Sequence, residues 1–177
     1  MTPLTLSIIL SLLLCGPNKL PERSFSKPNA TSIVQRDIYR RYTNVRFAYA
    51  ISYPAGILIP QGESANSDGQ IFSSRDGHAE MRVFGRHNVF NETIKSAFDK
   101  AVKGEDSAGR VVTYKLLKGD TYVVSGNQNG KIFYEKTMLK GDIFKTFMIK
   151  YDESERAKYD PITARVSRSF VSLIEGK

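Results

Sequence analysis

The sequence predicts an α+β domain, with an antiparallel sheet of six or seven strands flanked by two or three helices. Three observations predict it. Val45, Phe47, Tyr49, Ile51 and Tyr53 alternate with small residues, Ala48, Ala50 and Ser52 among them, which is the period of a strand. Four strand-like runs between Arg110 and Tyr151 are joined by Lys118-Gly119-Asp120, Asn129-Gly130 and Lys140-Gly141-Asp142. Turns that short join only antiparallel neighbours. Near the end, Ile162, Val166, Phe170, Leu173 and Ile174 recur at helical spacing, an apolar face that must bury on the sheet.

The elements follow in order. Leu4 to Leu14 is an apolar run of about a dozen residues closed by the single cysteine, Cys15, and then by Gly16-Pro17-Asn18. A spanning helix needs about 20 apolar residues; this run has the length of a secretory signal core. Met1-Thr2-Pro3 lacks the usual leading Lys or Arg, and Leu14 stands where a lipoprotein signal places a small residue. Lipidation at Cys15, cleavage, and retention as an anchor all stay open. Residues 1–16 are thus expected to be a signal and 17–32, rich in Pro, Ser and Asn, a flexible linker. Residues 33–177 would form a single domain.

Within that domain, Ile33 to Tyr42 is expected to form a short helix capped by Thr31 or Ser32. The strand from Val45 to Tyr53 ends at Pro54, and Ile57-Leu58-Ile59 is stopped by Pro60. Gln61 to Gln70 reads as a polar loop. Ile71–Ser74 and Ala79–Phe84 flank Asp76-Gly77 as a hairpin. A helix capped by Asn88 or Asn91 carries the stripe Ile94, Ala97, Phe98, Ala101 and Val102 and ends near Gly104. Strands over 110–117, 121–128, 131–139 and 143–151 follow. The last helix begins with Asp160 as cap and Pro161 in its first turn.

Composition is that of an ordinary globular chain, 41% hydrophobic and 25% charged. The net charge of +8 suits anionic lipid, acidic glycans or an acidic protein partner. An exported chain argues against nucleic acid. With one cysteine there is no internal disulfide, so the core alone must hold the fold.

Few residues point to chemistry. His78, Glu80 and Arg82 would share the outward face of one strand, and His87 would complete a set of two imidazoles and a carboxylate. His87 lies beyond Gly85, and Arg82 competes for Glu80, so His78 and Glu80 are weak metal candidates. No Gly-x-Ser-x-Gly elbow and no glycine-rich phosphate loop occur. Asp152, Glu153 and Glu155 read as a solvated connector before the last helix. Aromatic residues spread over the strands, with Lys115, Lys118, Lys131, Lys136, Lys145 and Lys150 around them, allow sheet packing or a partly exposed recognition patch.

The stretch Asn44-Val45-Arg46-Phe47-Ala48-Tyr49-Ala50-Ile51-Ser52-Tyr53-Pro54, then Asp68-Gly69-Gln70-Ile71-Phe72, then Asp76-Gly77-His78-Ala79-Glu80-Met81-Arg82-Val83, resembles the opening of PsbP/Mog-like domains and their bacterial relatives. The order of helix, meander and C-terminal helix is similar as well. The resemblance implies an α/β/α sandwich used for binding, without catalytic residues or cofactor. The expected function is a non-enzymatic exported accessory protein of the cell envelope, periplasmic or a membrane-anchored lipoprotein of a Gram-negative-type bacterium. Its partner would be an envelope or secreted protein. Contact is expected through the loop residues Gln61, Glu63, Asn66, Asp68 and Gln70, since loops on rigid sheets commonly carry recognition. Two alternatives stand beside it: an inhibitor or immunity-type protein using the same loop, and a metal-dependent envelope hydrolase using His78 and Glu80.

Overall fold

A computed structural model describes residues 38–104 and 108–173. Cys15, the apolar run before it and the linker lie outside the described residues. So do Thr31, Ser32 and Ile174.

Ten strands and two helices make up the described chain. The first hairpin pairs β1 (Tyr39–Asn44) with β2 (Tyr49–Pro54). β1 replaces the end of the helix expected over 33–42. Its side chains alternate along the strand, and Tyr42 turns inward against Tyr49 and Phe72. Residues 45–48 are the turn of this hairpin and not part of a strand. Ala48 takes φ 49°, and Asn44 Oδ1 accepts from Phe47 N at 2.8 Å, so a local side-chain bond folds the turn.

Next come β3 (Leu58–Glu63), β4 (Gly69–Ser74) and β5 (Ala79–His87). Strand pairing therefore consumes both ends of the expected 61–70 loop and leaves a tip of five residues, 64–68. α1 (Ile94–Lys103) follows, then β6 (Arg110–Lys118), β7 (Thr121–Gln128), β8 (Lys131–Lys140) and β9 (Ile143–Asp152). Thr93, not Asn88 or Asn91, caps α1: its Oγ1 accepts from Ser96 N at 3.1 Å. Asn88 instead clamps the lead-in, accepting from Glu92 N and donating to Glu92 O. Gly104 ends α1 at φ 70°, the left-handed cap that glycine favours.

After a single 3-10 turn, α2 spans Arg156–Ser169, with Phe170 as its C-cap. It starts a turn earlier than Asp160 suggests, and Pro161 lies inside it. Asp160 faces the sheet, where its carboxylate accepts from Tyr151 Oη at 2.5 Å. The two-residue β10 (Val171–Ser172) then joins β2, so the chain leaves the helix before Leu173, which is 47% exposed.

Two antiparallel sheets result: β1-β2-β10, and a seven-stranded sheet ordered β3-β4-β5-β9-β8-β7-β6. The large sheet is sandwiched. On one face α2 lays Tyr159, Ile162, Val166 and Phe170 against Met81, Val83, Phe147 and Ile149, with the small sheet completing that core. On the other, α1 packs Ala97 over Tyr122, Val124, Phe133 and Phe144. Strand alternation sends Phe144 and Phe147 of β9 into opposite cores. Burying side chains of this size contributes roughly 2 kcal/mol each before entropy is counted.

Candidate functional site

The expected contact loop is a rigid tip over a depression. Gln61, Glu63, Asp68 and Gln70 line a concavity of about 370 Å³ together with Ile71 and Phe84. Asn66 sits on the tip beside it. Gln61, Glu63 and Asn66 are exposed, and Asp68 and Gln70 are half-buried. The tip is braced from within. Asp68 N donates to Ser64 Oγ at 3.1 Å, Asn66 Nδ2 donates to Asp68 Oδ2 at 2.8 Å, and Ser64 Oγ bonds Asp68 Oδ1. It is braced from the core as well. Tyr49 Oη donates to Asp68 O at 2.9 Å, and Asn44 Nδ2 donates to Ser67 O at 3.0 Å. Gly69 is required here, because a Cβ on it would meet Val83 O at 2.0 Å. Burial raises the Tyr49 phenol far above its ordinary range, so that hydroxyl remains a donor at every physiological pH.

A second cleft, about 540 Å³, lies between α1 and the sheet. Sequence reading missed it, because its charged residues come from four elements and the loop before α1 and share no motif. In its depth Glu135 Oε2 accepts from Arg110 Nη2 at 2.9 Å, and Glu135 Oε1 accepts from Tyr122 Oη at 2.7 Å. The Arg110 guanidinium stacks on Phe133, 4.0 Å from the ring centre. At its mouth Glu92 pairs with Lys100 at 2.8 Å and Arg86 at 3.1 Å. The bond to Lys100, helped by Arg86, holds the Glu92 carboxyl below its ordinary range. Both carboxylates are thus held by cations.

The histidines do not meet. His78 Nδ1 contacts Asp152 Oδ2 at 2.6 Å, and Asp152 also takes Lys131. Glu80 Oε1 accepts from Arg82 Nε at 2.7 Å, the competition the sequence anticipated. His87 is the last residue of β5 and not beyond the strand; its ring packs on Phe47 with centres 5.1 Å apart. Nine residues of extended chain place it about 30 Å from His78. Among the described residues no cluster of three His, Cys, Asp or Glu side chains has metal-binding geometry. The connector residues Glu153 and Glu155 form the 3-10 turn before α2, and Glu153 pairs with Arg156.

The aromatic residues sit mostly in the core. Tyr49, Phe133, Phe144, Phe147 and Tyr151 are buried, whereas Tyr114 on β6 is 52% exposed. Lys145 is buried too, so it does not frame a surface patch, whereas Lys115 and Lys118 are exposed.

The solution structure of cyanobacterial PsbP (CyanoP) from Synechocystis sp. PCC 6803 superposes with a TM-score of 0.57, covering 84% of this chain and 98% of that one at 14% identity. The domain has a PsbP-like fold. At that identity the likeness speaks for the PsbP-like architecture alone, and that architecture is the α/β/α sandwich with a seven-stranded sheet described above. A crystal structure from Bacteroides thetaiotaomicron VPI-5482 matches with a TM-score of 0.49 and 13% identity over 78% of this chain and 50% of that one. No protein-family model and no curated protein matches the sequence. No helix among the described residues is long and apolar enough to cross a membrane.

Proposed function

We propose that this PsbP-like domain is a non-enzymatic accessory protein that binds a protein partner through the β3–β4 tip and the depression beneath it. The observation that carries the reading is the bracing of that tip. Ser64, Asn66 and Asp68 bond one another, while Tyr49 and Asn44 hold the backbone from the core. A surface ordered before contact loses less freedom on binding. The ion-paired carboxylates of the α1 cleft support a binding role over acid–base catalysis. The apolar run ending at Cys15 supports an exported protein, tethered by a lipid at that residue, with an envelope or secreted protein as partner.

The test is chemical crosslinking in the native cell with the chain carrying Gln61→Arg and Gln70→Arg together. Loss of the crosslinked species that the unaltered chain forms is the expected result. An unchanged pattern overturns the tip as the contact. For the tether, palmitate label on the unaltered chain but not on Cys15→Ser is expected, and label on neither removes the lipid.

A further inference from the structure

The large sheet has two outer strands, and they are built differently. β3 carries Pro60, which has no N–H to offer, a register break between Pro60 and Glu63, and Gly62 at φ 97°. These features keep an edge from pairing with another chain. β6 has no proline and runs for nine residues, with β7 on one side and, among the described residues, no strand on the other. Its single register shift lies between Val112 and Tyr114, where Gly126 on β7 makes room: a Cβ there would meet Val111 O at 1.9 Å.

From Tyr114 to Lys118 the pairing with β7 is unbroken, and Lys118 closes a two-residue turn opposite Thr121. The closing pair of such a hairpin is hydrogen-bonded, and bonding alternates along the strand. Lys115 and Leu117 therefore point their N–H and C=O groups away from β7, toward the open edge. Beside them Val111, Tyr114 and Leu116 are 61%, 52% and 45% exposed. Their β7 partners, Asn127, Ser125 and Val123, share one face, so the three apolar side chains do as well.

We infer that β6 receives an extended, acidic segment of a partner protein as an added strand. Strand addition supplies main-chain bonds, and alternating side chains supply selectivity. Charge chooses the occupant. On β6 Lys115 and Lys118 are exposed, Arg110 is buried against Glu135, and there is no acidic residue. A second copy of β6 paired antiparallel about Lys115 would set the exposed Lys115 of each copy opposite the other, and like charges across a ladder repel. A segment alternating Glu or Asp with Val or Leu meets Lys115 on one face of the ladder and covers the apolar stripe on the other. The inference deepens the protein-binding reading and rests on it, but it uses a different edge of the domain.

The test is amide hydrogen exchange of the full chain with a capped peptide of alternating Glu and Val, about nine residues long to match β6. At saturation, exchange at Lys115 and Leu117 should slow about tenfold or more. The peptide with Lys in place of Glu, and one N-methylated along its pairing edge, should give no protection. Leu116→Lys and Lys115→Glu should each weaken the effect. Because the methylated peptide leaves the protein untouched, it keeps the test valid if a variant fails to fold. Equal protection by the methylated peptide overturns the inference. So does absence of protection in β6, and so does protection of β6 that rises with protein concentration alone, which would make a second copy the occupant. Protection confined to residues 64–68 overturns the edge while leaving the tip as the contact; crosslinks unchanged by Gln61→Arg with Gln70→Arg, with β6 still protected, do the reverse.

Discussion

Lys145 donates its Nζ to the carbonyl of Ala48 at 3.0 Å, tying the inner strand β9 to the turn between β1 and β2. The side chain is fully buried and also reaches Ser172 Oγ, so one cation joins three segments far apart in sequence. Lys145→Met keeps the volume and loses both charged bonds, leaving the Ala48 carbonyl with the Leu173 N–H alone; it should cost about 1–3 kcal/mol in urea denaturation.

The same residue sets an alkaline pH dependence. Burial lowers the pKa of Lys145, and of Lys136, below the ordinary lysine value. Between the lowered folded value and about 10.4 the unfolded chain holds more protons, so stability should rise with pH in that window. Ionisation of the buried tyrosines in the unfolded chain opposes the rise above about pH 10, because burial raises Tyr122 in the fold. Lys145→Met should flatten the rising limb. An identical slope in variant and parent would show that Lys145 is not the group responsible.

Arg110 and Glu135 are a buried pair, with side chains 6% and 9% exposed. Arg110→Ala leaves a carboxylate under α1 with only Tyr122 to face it, and should cost about 3–5 kcal/mol. The double variant Arg110→Met with Glu135→Leu should cost less than Arg110→Ala alone. Thermal or urea unfolding of the set would show it; strictly additive losses would deny the pairing.

Gly85 lies against Phe47. A Cβ at position 85 would meet the Phe47 Cβ and Cγ at 2.4 Å, and Phe47 is only 3% exposed. Gly85→Ala should therefore destabilise by about 1–3 kcal/mol. The unfolding midpoint measures it, and an unchanged midpoint in Gly85→Ala would show that the two positions do not meet.

His78 gives a neutral-pH signature. The bond from Asp152, with Asp76 nearby, raises the His78 pKa above its ordinary value. A raised folded pKa stabilises fully below the unfolded value near 6.5 and fades as pH rises through the folded value. In an NMR titration Asp152→Asn should move the His78 midpoint down, toward its ordinary value. A midpoint unaffected by the substitution would exclude the contact.

What the sequence showed depends on whether the signal was local. The meander from Arg110 to Asp152 was legible to within a residue or so, because Gly119, Asn129-Gly130 and Gly141 sit where two-residue turns need positive φ. The α1 stripe was legible for the same reason of short range. The turn at 45–48 was not: Val45 and Phe47 continue a strand pattern, yet Asn44 folds the chain back and leaves Val45 88% exposed. β1 was hidden because its basic, half-exposed face looks like a helix surface. The start of α2 was misplaced because Asp160-Pro161 mimics a cap, whereas Asp160 is turned toward Tyr151. Of the contact residues, Gln61, Glu63, Asp68 and Gln70 do converge on one depression. The α1 cleft stayed invisible because Arg110, Glu135 and Tyr122 meet only through strand register.

Site-specific photocrosslinking in the native cell tests the central claim most directly, with the probe placed in turn at Gln61, Asn66 and Gln70 and, as a control, at exposed Arg168 on α2. The binding account predicts one protein captured repeatedly from the three tip positions and not from 168. Capture from 168 alone, or from none of the four, would contradict it.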